Sequence, residues 1–263
     1  MRRPILPALP LVVTELGAGP PLLFLHGLLG RARNWLTVGR ALADRFAVRL
    51  ADLRNHGASP WSEEAGYAAM AADVATLIEG AAAGPVTLVG HSMGGKVAMA
   101  LALTRPDLVG RLIVVDIAPV RYASGYERFV RAMLAADLSP GRRRADVDAE
   151  LAASVPDAAK RAFLMQNQDS RDGRLAWQPT LAALLQAMPE LMGFPEHLAR
   201  GAFPGPVRCL RGERSDYLDA GGLAALRRLF PGAGVATVPD AGHWPHAERP
   251  DAFQALLSDA LTR

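Results

Sequence analysis

The sequence predicts an α/β fold in which a mostly parallel, doubly wound sheet has a helical cap inserted between two of its strands. Short apolar runs rich in Val, Ile and Leu alternate with helical patterns along most of the 263 residues. This is the order expected of a parallel sheet with helices on both faces. From about residue 121 to 203 there is no convincing strand, only a series of short helical patterns, so this segment is predicted to cap the sheet.

Seven apolar runs are the predicted strands, because they are short, continuous and bounded by turn residues. They are Leu9–Glu15, Pro21–Leu25, Ala47–Ala51, Pro85–Val89, Leu112–Val115, Val207–Leu210 and Val235–Val238. The predicted helices between them are Trp35–Asp44, Tyr67–Gly80, Lys96–Thr104, Leu223–Phe230 and Asp251–Leu261. Pro106 and Pro231 end two of these helices, since proline cannot continue the helical hydrogen-bond ladder.

The predicted core comprises residues 1–120 and 204–263, and the predicted cap comprises residues 121–203. The predicted cap helices, which prolines separate, are Tyr126–Ala136, Arg144–Ala153, Asp157–Gln166 and Thr180–Met188. Apolar side chains of the cap are candidates for the wall of a pocket, although each is equally typical of an ordinary helix core. These candidates are Phe129, Met133, Phe163, Leu164, Met188, Met192 and Phe194.

Charge and cysteine content argue against several classes of protein. The formal net charge is +3, and the dense basic run Arg142–Arg144 is typical of a solvated helix or loop face. No nucleic-acid partner is predicted, since the sequence has neither a basic stripe with interleaved aromatics nor a known binding motif. The single cysteine, Cys209, cannot form an intramolecular disulfide and is predicted to be a small buried residue.

Hydropathy gives no sign of a membrane protein. No run approaches the roughly 18 apolar residues that a spanning helix needs, so no membrane span is predicted. The N-terminal stretch MRRPILPALPLVV has some features of a signal peptide, but three prolines interrupt it and no small-residue cleavage site follows. A first strand and a cytoplasmic location are expected instead. The sequence predicts no particular oligomeric state.

The stretch LVGHSMGGK at residues 88–96 places Ser92 where a predicted strand turns into a predicted helix. Side chains two positions before and after this serine would collide with the strand and the helix, and Gly90 and Gly94 remove them. The serine oxygen then stands beside a helix N-terminus, whose free N–H groups favour negative charge. This G-x-S-x-G pattern between a strand and a helix is typical of a nucleophilic serine.

A serine hydroxyl needs a base to become a nucleophile, and the base needs an acid to orient it. In this topology the chain order is serine, acid, histidine, which leaves His197, His243 and His246 as candidate bases. His243 follows the last predicted strand, so its loop returns to the carboxyl edge of the sheet beside Ser92. His243 is therefore the predicted base.

Two aspartates at strand ends are candidates for the acid. Asp116 closes the strand of LIVVDIAP, and Asp216 lies in RGERSDYL after a later strand. In most enzymes with this pattern the acid lies about three residues after the glycine of the later loop. Counting from Gly212, that position is Ser215, with Asp216 next to it. Asp216 is one residue beyond the expected position, and a shift of one residue can turn a side chain away from its target. The sequence therefore favours Asp116 as the acid and leaves Asp216 as the alternative.

Acyl transfer also requires N–H donors for the oxyanion. The backbone N–H of Met93, the residue after the serine, is the first predicted donor. The stretch LLFLHGLLG ends an earlier strand, and the N–H of Leu28 in it is the second predicted donor. His26 in this stretch precedes the serine and is predicted to hold the loop rather than to act as a base.

Five motifs carry a resemblance to a known family: FLHGLLG, DLRNHGASP, VGHSMGGKVAMALAL, LIVVDIAPV and AGHWPHAERPDAF. Together they resemble the α/β-hydrolase superfamily, in particular its small esterase branch of bacterial acyl esterases and a mitochondrial abhydrolase-domain relative. The resemblance spans about residues 9–120 and 204–263, whereas the cap is only weakly matched.

The resemblance implies an α/β-hydrolase fold and a carboxylesterase or thioesterase that uses no cofactor and no metal. It also implies that Asp116 is the acid and that Ser215 lies near the histidine and supports it. The polar residues of DLRNHGASP, which are Asp52, Arg54 and His56, are expected to be structural rather than catalytic.

The predicted function is hydrolysis of short- to medium-chain acyl esters or thioesters, small-molecule substrates, through an acyl-enzyme on Ser92. In this hypothesis His243 takes the serine proton and Asp116 holds the imidazole. Fold analogy leaves open other chemistries with the same residues, namely C–C bond hydrolysis, lactone hydrolysis and cofactor-free haloperoxidation. A ligand-binding module without turnover is the alternative from another class, and the intact set of serine, aspartate and histidine argues against it.

Overall fold

The computed structural model describes residues 8–81, 84–123, 125–171 and 173–262. Its strands, in chain order, are β1 Val13–Leu16, β2 Pro21–Leu25, β3 Ala47–Ala51, β4 Val86–His91, β5 Val109–Val115, β6 Gln168–Arg171, β7 Arg174–Trp177, β8 Val207–Gly212 and β9 Gly234–Val238. Its helices are α1 Leu36–Arg40, α2 Tyr67–Gly80, α3 Met93–Thr104, α4 Tyr126–Ala135, α5 Arg144–Leu151, α6 Ala158–Met165, α7 Leu181–Leu191, α8 Ala220–Leu229, α9 Pro245–Glu248 and α10 Pro250–Thr262.

A seven-stranded sheet in the order β1-β3-β2-β4-β5-β8-β9 forms the centre of the molecule. β1 is antiparallel to β3, and every other neighbouring pair in this sheet is parallel. The predicted mostly parallel α/β architecture is therefore confirmed. The registers of β4 and β5 end together at His91 and Val115, so the next residues of the two strands, Ser92 and Asp116, are neighbours at the carboxyl edge.

Apolar side chains cover both faces of this sheet. On one face, α2, α3 and α8 pack on strand residues such as Leu88 and Leu112. On the other, α1 and α10 pack on the adjacent strand residues Val89 and Ile113. Successive strand residues point to opposite faces, so strands buried on both sides need continuous apolar runs. This requirement is why the strands could be recognised in the sequence.

The chain between β5 and β8 contains α4–α7, as expected of an inserted segment, but the absence of strands predicted there is wrong. β6 and β7 form an antiparallel hairpin, with Gln168 paired to Trp177. Gly173 next to the turn has φ of 74°, a conformation that glycine adopts without strain. The Asp-Gly pair between two short runs is a hairpin signal in the sequence. Pro189 also does not end its helix, since α7 continues to Leu191.

Candidate active site

Ser92 lies in a sharp turn between β4 and α3. Its backbone has φ of 51° and ψ of −119°, a conformation that costs a non-glycine residue on the order of 1–3 kcal/mol. A Cβ at Gly90 would collide with the carbonyl oxygen of Gly94, and a Cβ at Gly94 would collide with that of His26. The turn therefore requires glycine at both positions, as the spacing predicts.

A continuous chain of hydrogen bonds joins Ser92, His243 and Asp116. Ser92 Oγ lies 2.9 Å from His243 Nε2, and His243 Nδ1 lies 2.8 Å from Asp116 Oδ2. Because a carboxylate only accepts hydrogen bonds, Nδ1 carries the imidazole proton and Nε2 accepts from the serine hydroxyl. Ser92 is 8% exposed, His243 9% and Asp116 0%, so water competes little with these bonds.

Asp116 is held by the ends of two strands. It follows β5 with φ of 50°, and its N–H donates to the Leu210 carbonyl of β8 at 2.9 Å. Its carboxylate accepts the Gly212 N–H at 2.9 Å and the Ser215 hydroxyl, in addition to the His243 ring. These three donors satisfy a carboxylate that is fully buried, which would otherwise be costly. The structure thus brings Ser215 to Asp116 and, through it, to His243.

The other candidates from the sequence lie elsewhere. Asp216 is exposed at the start of a helical turn, and the His243 ring is hydrogen-bonded to Asp116 instead. His197 is exposed in the turn Glu196–Leu198. His246 stacks on Trp35, with ring centroids 4.4 Å apart. Of the two aspartates and three histidines considered, only Asp116 and His243 are hydrogen-bonded in line with Ser92 within the described part of the chain.

His91 holds the loop that carries His243 and was not singled out by the sequence. Its Nε2 donates to the backbone carbonyl of His243 at 2.7 Å, which fixes the main chain of the loop. Burial, followed by its neighbours His246 and His243, lowers the pKa of His91 well below the ordinary value. A neutral His91 is the state in which one ring nitrogen donates while the other carries no proton. The signal in the sequence is its position directly before Ser92.

The two predicted oxyanion donors lie beside Ser92. Met93 is the first residue of α3, so its N–H has no carbonyl partner inside the helix. Leu28 lies in the loop after β2, where the Gly30 N–H donates to the Gly27 carbonyl at 2.9 Å and closes a tight turn. Leu28, Ser92 and Met93 line one cavity.

Histidines from two loops hold the Leu28 loop in place. His56 Nε2 accepts the Leu29 N–H at 3.1 Å, and His26 Nε2 accepts the Leu53 N–H at 3.0 Å. Mainly through burial, the pKa of His26 is lowered to about 4 and that of His56 to about 3. Both rings are therefore neutral at pH 7 and can accept these bonds. Their contacts agree with the structural roles expected of them.

Asp52 and Arg54 complete this support. Asp52 accepts the N–H groups of Ala32 at 2.6 Å and Ala58 at 2.9 Å, which joins its loop to the one after β2. Arg54 forms two hydrogen bonds of 2.6 Å with the Asp73 carboxylate on α2, and both side chains are buried. This arrangement is a bidentate pair, which fixes orientation as well as distance.

Lys96, one turn after Ser92 on α3, ties the inserted segment to the core. Its ammonium donates to the carbonyls of Val120 at 2.9 Å, Met192 at 3.1 Å and Gly193 at 2.5 Å. It also lies 4.7 Å from the centre of the Tyr122 ring. Burial, with a smaller effect of Arg121, lowers the pKa of Lys96 to about 7. The lysine therefore holds together the two ends of the segment between β5 and β8.

Two cavities meet at Leu28, Ser92 and Tyr126. The tyrosine cavity, with about 340 Å³ of unfilled space including space open to solvent, is lined by Leu28, Tyr67, Ser92, Met93, Lys96, Ile117, Tyr122, Tyr126, Leu191, Met192 and Tyr217. The tryptophan cavity, with about 300 Å³ on the same measure, is lined by His26, Gly27, Leu28, Gly30, Asn34, Trp35, His91, Ser92, Tyr126, Phe163, Trp244 and His246.

Two of the seven candidate pocket residues line these cavities, and the other five lie in or against the core. Met192 lines the tyrosine cavity and Phe163 the tryptophan cavity. The other five candidates line neither cavity and pack in or against the hydrophobic core; they are Phe129, Met133, Leu164, Met188 and Phe194. Helical periodicity shows which side of a helix is apolar but not which of its residues face a cavity. It did not indicate the four tyrosines that line the tyrosine cavity, Tyr67, Tyr122, Tyr126 and Tyr217.

Two features are absent from residues 8–81, 84–123, 125–171 and 173–262. No group of three or more His, Cys, Asp or Glu side chains there is arranged to hold a metal ion. No helix in the same ranges is long and apolar enough to cross a membrane.

The fold and the site agree with comparisons to known proteins. The profile of the Alpha/beta hydrolase family matches residues 22–256. The mouse protein sn-1-specific diacylglycerol lipase ABHD11 (Mus musculus) is 40% identical over 250 residues, which cover 92% of this chain and 81% of that protein. Esterase YbfF of Escherichia coli strain K12 is 30% identical over 233 residues, which cover 88% of this chain and 89% of that protein.

A solved structure is also similar to this chain along most of its length. The structure named marine microorganism esterase superposes with a TM-score of 0.91 at 32% identity, covering 96% of this chain and 99% of that chain. This chain belongs to the α/β-hydrolase family. Its relatives support a hydrolase of the esterase and lipase type.

Proposed function

We propose that the protein is a serine carboxylic ester hydrolase that cleaves short- to medium-chain acyl esters or thioesters through an acyl-enzyme on Ser92. The observation that carries the proposal is the chain of hydrogen bonds from Ser92 through His243 to Asp116. Such a chain gives a serine the base, and the base the orienting acid, that acyl transfer requires.

Acylation is the first half of the proposed reaction. Ser92 Oγ attacks the carbonyl carbon while its proton passes to His243 Nε2, and Asp116 stabilises the resulting imidazolium. The N–H groups of Leu28 and Met93 bind the oxyanion, and one such donor is worth about 100- to 1000-fold in turnover. His243 then gives the proton to the leaving alcohol or thiol as its bond to the acyl carbon breaks.

Deacylation uses the same groups. His243 takes a proton from a water molecule, whose oxygen attacks the acyl carbon on Ser92. The tetrahedral intermediate collapses, the carboxylic acid leaves, and Ser92 recovers its proton from His243. Ser215 contributes by donating a hydrogen bond to the Asp116 carboxylate. This bond holds the carboxylate where it faces His243 Nδ1.

The two cavities suggest how an ester is oriented. The tyrosine cavity is built largely of apolar and aromatic side chains beside the two oxyanion donors, which suits the acyl chain. The tryptophan cavity includes Trp244, directly after His243, and His246 on α9, which suits the leaving group that His243 must protonate. Residues 121–203 act in this proposal as a cap on a core of residues 1–120 and 204–263.

The names of the relatives guide the choice of substrates. The mouse relative is named a diacylglycerol lipase and the bacterial relative an esterase, so glycerol esters and simple acyl esters are the first candidates. We also propose a cytoplasmic location, since the one cysteine, Cys209, is buried and unpaired and gives no sign of an oxidising compartment.

The test is hydrolysis of p-nitrophenyl esters from acetate to palmitate, with a diacylglycerol and an acyl thioester as further substrates. Wild type is expected to hydrolyse at least one ester with saturation kinetics, and Ser92→Ala is expected to lose that activity. The chain length with the highest kcat/KM measures the depth of the tyrosine cavity. Inactivity of folded wild type on every ester and thioester would show that the site serves another chemistry.

A further inference from the structure

A tyrosine ring covers one face of the His243 imidazole. The rings of Tyr217 and His243 have centroids 3.6 Å apart and planes within 16° of each other, a face-to-face stack. Two other rings lie near His243 at larger distances and steeper angles: His91 at 4.9 Å and 44°, and Trp244 at 5.5 Å and 64°. Tyr217 is thus the closest and most parallel ring neighbour of the base among the described residues.

The main chain of Tyr217 is fixed on both sides. Its N–H donates to Ser215 Oγ at 3.3 Å, so the residue is anchored to the same hydroxyl that donates to Asp116. Its carbonyl accepts the Tyr122 hydroxyl at 2.6 Å, and the Tyr122 ring packs against its own with centroids 5.0 Å apart. A ring held in this way can restrain the imidazole plane that it covers.

The charge on a protonated His243 has few other partners. The Asp116 carboxylate faces the ring at 2.8 Å. The Glu248 carboxylate accepts the backbone N–H groups of Gly242 and Trp244, on either side of His243. Mainly because of burial, the pKa of His91 is lowered well below its ordinary value and that of His246 is lowered to about 3, so both are neutral near pH 7. Ser92, Ser215 and Trp244 are uncharged. The negative face of the Tyr217 ring is then a direct stabiliser of the imidazolium beside the Asp116 carboxylate.

We infer that Tyr217 is a positioning residue for His243: its ring holds the imidazole plane between Ser92 and Asp116 and stabilises the imidazolium that forms during acyl transfer. This inference rests on the proposed function, which assigns His243 as the base. It assigns Tyr217 a role beyond that of a cavity wall.

The test compares Tyr217→Leu, which removes the ring, with Tyr217→Phe, which keeps the ring and removes only the hydroxyl. Met192→Ala is the matched control, because Met192 lines the same cavity and its backbone carbonyl is hydrogen-bonded to Lys96 and Tyr122 rather than to Tyr217 or His243. The readout is the second-order rate constant for labelling of Ser92 by a fluorophosphonate from pH 5 to 9, with kcat and KM on the best ester alongside. Labelling reports the activated serine whatever the natural substrate is.

Tyr217→Leu is expected to slow labelling about 3- to 30-fold and to lower kcat by a similar factor, the range of a lost cation–π contact. The acidic limb of its pH profile should move to lower pH, because the imidazolium loses a stabilising partner. Tyr217→Phe should keep the limb in place and stay within about twofold of wild type, since a phenyl ring also presents a negative face. Met192→Ala should change KM without moving the acidic limb of the pH profile.

Equal behaviour of Tyr217→Leu and Tyr217→Phe would overturn the inference. So would a Tyr217→Leu variant that changes only KM, since the ring would then be a cavity wall. Wild type that is labelled but hydrolyses no ester refutes the proposed function, while the labelling rates of the variants still decide the role of Tyr217. A folded wild type that is not labelled at any pH refutes both.

Discussion

The core and the inserted segment meet at Ser92, and they hold their side chains there in different ways. In the core, Asp116 is fixed by the ends of two strands and three hydrogen-bond donors. The inserted segment contributes apolar and aromatic surfaces, such as Phe163 of α6, whose ring lies 5.6 Å from that of Trp244. Hydrogen bonds fix Ser92, His243 and Asp116, whereas packing shapes the space around them.

This difference separates two kinds of mutational effect. A core substitution that breaks a hydrogen bond in line with Ser92 should remove transition-state stabilisation and lower kcat. A substitution in the inserted segment should change which substrate fits and appear mainly in KM or in chain-length preference. Lys96 is the exception, since it joins the two parts through the carbonyls of Val120, Met192 and Gly193.

Removing the proposed nucleophile should have the largest effect. Ser92→Ala is expected to lower kcat on p-nitrophenyl esters by about 10⁴-fold or more, because the attacking oxygen is lost. Ser154→Ala, an exposed serine of the inserted segment, is the matched control and should retain wild-type turnover. Substantial activity in Ser92→Ala would place the nucleophile elsewhere.

The next largest effect should distinguish the two aspartates. Asp116→Asn is expected to lower kcat by about 10⁴-fold, because an amide that donates to Nδ1 selects the wrong imidazole tautomer. Asp216→Asn should stay within about twofold of wild type, since this exposed side chain lies outside the chain of hydrogen bonds. Both are measured by kcat/KM with unfolding midpoints as the folding control, and the reverse pattern would assign the acid to Asp216.

Acid should destabilise the core through its buried histidines. The pKa values of His26 and His56 are lowered from 6.5 to about 4 and about 3. The unfolded chain therefore binds more protons than the folded one between those values and 6.5. Their contribution to stability is complete above about pH 6.5, and as the pH falls toward 4 each should lose about 1.4 kcal/mol per pH unit.

Urea unfolding between pH 7.5 and 5 measures this loss. His56→Gln should reduce the slope of the unfolding free energy against pH by the equivalent of about one bound proton. His197 is an exposed histidine of the inserted segment, and His197→Gln should leave this slope unchanged. An unchanged slope in His56→Gln would mean that this ring is protonated in the folded protein.

The smallest effects should come from the cavity walls. Met192→Ala enlarges the tyrosine cavity and is expected to shift the preferred acyl chain to longer esters, with KM changes of a few-fold and kcat nearly unchanged. Phe163→Ala enlarges the tryptophan cavity and should alter the preference for the leaving group instead. Leu134→Ala, an exposed residue of α4, is the control. Identical profiles for both cavity variants would contradict the proposed orientation of the ester.

The sequence predicts the core much better than the inserted segment, for physical reasons. The positions of Gly90 and Gly94 follow from a turn that leaves no room for a Cβ, so spacing alone indicates Ser92. The proximity of Asp116 follows from the parallel register, which ends β4 and β5 at the same level.

No comparable rule places the side chains of the inserted segment. Phe129 and Met133 belong to the same amphipathic helix as Tyr126, yet they pack in the core while Tyr126 faces both cavities. Which residue faces Ser92 depends on how the helices pack against the core. The 3.6-residue periodicity of apolar side chains in a helix does not determine that packing. The stacking of Tyr217 on His243 likewise depends on a loop conformation that no motif specifies.

The central claim is that Ser92 carries the acyl group during turnover, and intact-mass analysis after rapid acid quenching tests it most directly. Wild type mixed with excess p-nitrophenyl ester should gain the mass of one acyl group within the first turnovers, and peptide mapping should place that mass on Ser92. Ser92→Ala should gain none. Steady hydrolysis by wild type with no acyl mass on Ser92, under conditions that quench faster than deacylation, would contradict the account.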